Sequence, residues 1–288
     1  MGLIRAVWAP TVAWALLALG GCSPAALLSA TVPSDGATVT SNVPYAAGPR
    51  HTLDIYHPAH PNGPLVVFIY GGGWKGGNKD SYPFVARPLA ARGAVVVVPD
   101  YRVYPETQFP GFLQDNAAAV AWAIAHAAEL GADPLRVFVM GHSAGGYDVA
   151  MLATDPRLLE AAGTSRDRLA GVIGLAGPYD FLPSSDPDVY PVFGAANTPA
   201  NEPTHFVDGR NPPLFLAAGS DDTTVMPRNT TTLAARVTER GGRVETRLYP
   251  GIGHIGLITA FAPLFAGRAP VLDDAWAFIE RNRAAYLP

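Results

Sequence analysis

The stretch Val137-Phe-Val-Met-Gly-His-Ser-Ala-Gly-Gly-Tyr-Asp-Val-Ala-Met-Leu152 decides the fold. Its first four residues, Val137 to Met140, form a short, wholly apolar run, the pattern of a strand covered on both faces. Gly141, Gly145 and Gly146 then give the backbone freedom and leave room where a side chain would clash. Tyr147 to Leu152 can continue as a helix. Ser143 sits at this strand-to-helix corner with two readings open: an ordinary helix cap, or a nucleophile.

Outward from that corner the same alternation repeats. The runs "LDIYHP" (53–58), "PLVVFIY" (64–70), "AVVVVPDYR", "LAGVIGLAG" (169–177), "PPLFLAAG" and "RVETRLYPG" read as strands. "SYPFVARPLAARG", "PGFLQDNAAAVAWAIAHAAELG" and "DDAWAFIERNRAAYL" read as helices, the second with Pro110 near its start and Gly131 past its end. Apolar strands separated by helices on short connections predict an α/β fold: a mostly parallel sheet with helices on both faces. In such sheets reactive groups collect beyond the carboxyl ends of the strands.

The 288 residues fit one large α/β domain. Hydrophobic residues make up 49% and charged residues 15%, enough for a large core and against disorder. The net charge of −4, without a basic stripe, argues against nucleic acid as a partner. Met1 to Arg5 is a short basic start, and Ala6 to Leu19 is apolar but short for a membrane span, so residues 1–21 are expected to be a secretory signal. Leu19-Gly-Gly-Cys22 resembles the bacterial lipobox, in which the cysteine becomes the lipid-bearing N-terminus; the alternative is a plain signal peptide with a chance cysteine. Cys22 is the only cysteine, so no internal disulfide can form. On this reading Cys22 is lipidated and anchors an exported protein to a membrane, residues 22–42 form a tether, and 43–288 form the folded domain.

The polar residues that follow the strands carry the chemistry. Gly141-His-Ser-Ala-Gly145 fits G-x-S-x-G in the required strand-to-helix context, with His142 as a bystander. Tyr70-Gly-Gly-Gly-Trp74 follows an apolar strand; it is either a flexible loop or a set of backbone donors for an oxyanion, each worth about 10²–10³ in rate. Asp222 in "GSDDTTV" and His254 in "YPGIGH", expected in a loop, complete the chain order serine, aspartate, histidine. Serine needs a base within reach, imidazole titrates near neutrality, and a carboxylate can fix its tautomer. Asp221 and Asp180 compete with Asp222 for the acidic role, while Asp100 reads as structural support. His57 and His60, spaced H-x-x-H, are too few for a metal site, and neither a metal nor another cofactor is expected.

Together "YGGGW", "DYR", "GHSAGG", "GSDDTTV" and "YPGIGH" resemble the α/β-hydrolase superfamily, from about residue 43 onward. Within it they resemble small carboxylesterases related to the hormone-sensitive-lipase group and the feruloyl and acetyl esterases. The resemblance implies Ser143 as nucleophile, Asp222 as acid, His254 as base, and amides of Gly72, Gly73 and Ala144 as the oxyanion hole. It implies a small-molecule ester substrate, with short-chain or aryl esters expected. Two departures stand out. Tyr70 occupies the place where the family usually has histidine, and the chain before it has little room for an N-terminal cap. Residues 178–212, with Phe181, Tyr190, Phe193 and Phe206, are therefore expected to form a short partial lid. An arylformamidase-like amide hydrolase and an inert binding protein on a hydrolase scaffold are the competing readings.

Overall fold

The computed structural model describes residues 28–29, 32–33, 36–60 and 63–284. Its core is an eight-stranded sheet in the order β1-β2-β4-β3-β5-β6-β7-β8. The strands are β1 (Thr38–Pro44), β2 (Thr52–His57), β3 (Leu65–Ile69), β4 (Val95–Pro99), β5 (Val137–His142), β6 (Leu169–Leu175), β7 (Leu214–Gly219) and β8 (Val244–Tyr249). β2 runs antiparallel to both β1 and β4, and every pair from β4 to β8 is parallel. The fold is the α/β-hydrolase class expected from the alternation of elements.

The apolar runs explain the sheet's interior. Every residue of β3, β4, β5, β6 and β7 is buried, as strands covered on both faces require. The edge strand β1 is almost wholly exposed, and the other edge, β8, is exposed over Thr246 to Leu248. The covering helices are α1 (Pro83–Ala91), α2 (Gly111–His126), α3 (Ala144–Thr154), α4 (Pro156–Ala161), α5 (Tyr190–Phe193), α6 (Pro203–Phe206), α7 (Arg228–Glu239), α8 (His254–Thr259) and α9 (Val271–Arg281). In α9 the buried residues Val271, Ala275, Phe278 and Ile279 repeat at helical spacing along one face. Phe278 meets Phe138 of β5 and Phe215 of β7 at ring distances of 6.3 and 5.8 Å.

Two sequence expectations change. The predicted tether over 22–42 is too long: Leu28 and Val32 are buried against the core, and residues 38–42 form part of β1. Val39 and Thr40 lie opposite Tyr56 and Ile55 of β2 in the antiparallel register. His254, expected in a loop, is the first residue of α8. The predicted signal (1–21) and lipidated Cys22 lie outside the described residues.

Residues 178–212 are held to the body of the domain at several points. Phe109 N donates to Val192 O at 3.0 Å, Tyr147 Oη to Asn201 O at 2.6 Å, and Lys75 pairs with Asp188. Buried Glu202 accepts from the amides of Phe181 and Leu182.

Candidate active site

β5 delivers Ser143 at the turn into α3, with φ 57° and ψ −122°. Such a conformation costs a non-glycine residue roughly 1–3 kcal/mol and persists only where its surroundings enforce it. They do so here: Ser143 N donates to Leu175 O at 2.9 Å, and Tyr147 N donates to Ser143 O at 3.1 Å. The flanking glycines are a steric necessity. A Cβ on Gly145 would lie 2.1 Å from Ile69 O, and one on Gly141 would lie 2.1 Å from Gly145 O. Ser143 is thus a strained corner residue, and no side-chain capping bond occupies its hydroxyl.

That hydroxyl meets His254 instead, Oγ to Nε2 at 2.9 Å. On the far side of the ring, Nδ1 lies 2.7 Å from Asp222 Oδ2. With Nδ1 protonated, the ring donates to the carboxylate and accepts from the serine, the tautomer this network requires. The other oxygen of Asp222 accepts from the amides of Thr224 at 2.9 Å and Val225 at 2.8 Å. The Asp222 side chain is fully buried and that of His254 is 9% exposed, so both charges would act in a poorly solvated place. All three groups lie just beyond the carboxyl ends of parallel strands β5, β7 and β8.

The competing acids do not join this chain. Asp221 is exposed and accepts from the adjacent Ser220 hydroxyl at 2.7 Å. Asp180 lies 3.8 Å from Arg228, with its side chain 42% exposed. Asp100 is structural, receiving Tyr70 Oη and Lys79 N at 2.8 Å each. His60 is exposed and His57 lies 3.2 Å from Thr40 Oγ1. His142, read from sequence as a bystander either packed or exposed, is buried, and its Nε2–H donates to His254 O at 3.2 Å. Burial, reinforced by neighbouring His254, pushes the His142 imidazole down to about 3, so it stays neutral beneath the site.

The glycine loop after β3 lies against the serine. A Cβ on Gly71 would come within 2.8 Å of both Ser143 Cβ and His142 O. Gly72 and Gly73 have φ of 135° and 61°, and the Gly72 carbonyl turns back to accept from Lys75 N and Gly76 N. Among the described residues, the amides of Gly72 and Gly73 donate to no backbone carbonyl. Ala144 opens α3, where first-turn amides have no partner inside the helix. Tyr70, in the usual histidine position, is a buried brace. Its hydroxyl donates to Asp100, Arg50 Nη2 donates to it at 3.0 Å, and its ring stacks between Tyr82 and Tyr101. Burial and Asp100 raise this phenol far above its ordinary range, so it remains neutral.

Sequence reasoning missed Arg50, which also donates to Gly77 O at 2.8 Å, and Asp148, which accepts from the Trp74 indole at 2.9 Å. Asp148 left one signal, a charge inside the apolar run of α3; Arg50 left none.

Residues 53–237, well over half of the chain, match the model of a family described as BD-FAE. The chain belongs to the BD-FAE family. A probable isoprenylcysteine alpha-carbonyl methylesterase of Arabidopsis thaliana is 25% identical to this BD-FAE member over 261 residues, 82% of the chain and 55% of its own length. Across the similar plant methylesterases, the chain spans about half to two-thirds of their length. Carboxylesterase NlhH of Mycobacterium tuberculosis is 44% identical over 102 residues, 34% of this chain and 32% of its own. Among solved structures, a truncated carbohydrate esterase from gut microbiota superposes with a TM-score of 0.74 at 22% identity, covering 87% of this chain and 98% of that one, and shares the fold.

Proposed function

We propose that this BD-FAE family member is a serine carboxylic-ester hydrolase that works through an acyl-enzyme. The observation that carries the reading is the unbroken chain from Ser143 Oγ to His254 Nε2, 2.9 Å, and from His254 Nδ1 to Asp222 Oδ2, 2.7 Å. The esterase names of its relatives support the same class.

Ser143 Oγ attacks the ester carbonyl carbon while its proton passes to His254 Nε2. Asp222 holds the ring and stabilises the imidazolium. The carbonyl oxygen, now negative, accepts from the amides of Gly72, Gly73 and Ala144. The intermediate collapses; the alcohol leaves with the proton from Nε2, and the acyl group stays on Ser143. Water then attacks, His254 takes its proton, and the acid departs as Ser143 regains its hydrogen. Short-chain or aryl esters are the substrates inferred for it, since 178–212 is a short cover held to the body at several points rather than a large cap.

The test is turnover of p-nitrophenyl acetate. Ser143→Ala is expected to lower kcat by about 10⁴–10⁶; near wild-type turnover by a folded variant contradicts the assignment. Side-by-side rates on an aryl ester and N-formylkynurenine separate this reading from an amide hydrolase. Export and anchoring through Cys22 belong to the same proposal. Radiolabelled palmitate should appear on the protein and vanish in Cys22→Ser; an unlabelled wild type removes the anchor from it.

A further inference from the structure

The oxyanion donors proposed above come from two separate pieces of chain, the loop after β3 and the start of α3. They help only if both aim at one point, within about half an ångström. Asp148 sits one helical turn after Ala144 on α3 and is fully buried. Its Oδ1 accepts from Trp74 Nε1–H at 2.9 Å, and Trp74 is the residue after Gly73. Its Oδ2 accepts from Asn116 Nδ2 of α2, also at 2.9 Å, and Asn116 is fully buried too. Trp74 has φ of 57°, a left-handed conformation that a bulky residue keeps only under external constraint. The ring is boxed by Tyr147, Phe193 and Phe181 at 5.4, 5.1 and 6.0 Å, and its single polar atom is tied to Asp148.

We propose that Asp148 is a positioning residue for ester hydrolysis: by gripping the Trp74 indole it fixes the Gly72–Gly73 amides relative to the helix that carries the Ala144 amide. This rests on the hydrolase reading and adds to it a strut joining the two arms of the oxyanion site.

The wiring also says what the strut requires. Burial drives the Asp148 carboxyl well above the usual carboxylate range, and the two donors offset this only in part. The Oδ1 of Asn116 is buried with no partner among the described residues. A protonated Asp148 could donate to that oxygen if the Asn116 amide were turned over, since such amides are oriented by their network. The position therefore needs an acceptor for the indole and a match for Asn116, and it does not need a charge.

The test is kcat and KM on p-nitrophenyl acetate for Asp148→Leu, Asp148→Asn, Trp74→Phe and the Asp148→Leu/Trp74→Phe double variant, each checked for a cooperative thermal melt. Asp148→Leu is expected to lower kcat about 10- to 100-fold with KM within about twofold, since only transition-state contacts are disturbed. Trp74→Phe keeps most of the ring and loses the N–H, and is expected to do the same. The double variant should fall no further than the worse single, because both break one contact. Asp148→Asn should recover kcat to within about threefold of wild type. If Asp148→Leu does not fold, Trp74→Phe decides alone. Wild-type kcat in Trp74→Phe, or an Asp148→Asn loss equal to that of Asp148→Leu, overturns the strut. An inert wild-type enzyme overturns the hydrolase reading instead, because the strut is scored only as a ratio to an active wild type.

Discussion

Asp222, in the turn after β7, and Asp148, on α3, are both buried, and they are wired in opposite ways. Asp222 is 1% exposed and is solvated by its own turn: the amides of Thr224 and Val225 point at one oxygen, and the His254 ring donates to the other. Asp148 is fully buried and among the described residues receives only side-chain donors, Trp74 and Asn116, from 74 and 32 residues away. The first arrangement surrounds the carboxyl with fixed backbone dipoles, as the proposed pairing with an imidazolium requires. The second leaves desolvation dominant and suits a carboxyl used for its shape. Burial alone does not define an aspartate's role; the source of its donors does.

Substitutions sharpen this contrast. The largest effect belongs to Asp222→Asn, which preserves shape but removes the charge and favours the wrong histidine tautomer; kcat on p-nitrophenyl acetate should fall about 10⁴-fold. The same change at Asp148 should leave most of the activity. Equal losses at the two positions would erase the distinction drawn between them.

A smaller effect concerns stability. Glu202 is 1% exposed, one of its oxygens has no partner among the described residues, and burial pushes it up to about 7. An unfolded glutamate titrates near 4.3. Between those values the folded protein holds a proton that the unfolded chain has lost. The contribution of this group is therefore greatest below the unfolded value and is lost as pH rises through about 7. Glu202→Gln should gain on wild type by up to about 3 kcal/mol in unfolding free energy between pH 5 and pH 8, read from urea midpoints. His142, depressed to about 3, acts in the other direction, favouring the fold above about 6.5 and losing that as pH falls. It is common to both proteins and cancels. A pH-independent difference would place the Glu202 proton elsewhere.

The same division between local and distant partners explains what could be read in the sequence. The strands β3 to β7 show as unbroken apolar runs because both faces are covered. Ser143, Asp222 and His254 show because each sits in a short segment whose glycines and turn residues shape its own backbone. Residues 38–42 looked like a tether because an exposed edge strand carries no apolar run to mark it. Arg50 and Glu202 depend on partners that only the folded chain brings near, so composition around them is silent, and Asp148 left no more than a charge inside an apolar run. Tyr70 was legible as a departure from the family pattern, while its bracing by Asp100 and Arg50 was not.

The central claim is that the convergence of three side chains makes one particular oxygen reactive. Intact protein treated with a p-nitrophenyl phosphonate and digested for mass spectrometry tests it directly. The account predicts a single adduct, on the peptide containing Ser143, that disappears in His254→Ala. A folded wild-type protein that takes up no phosphonate, or carries it on a different residue, would contradict it.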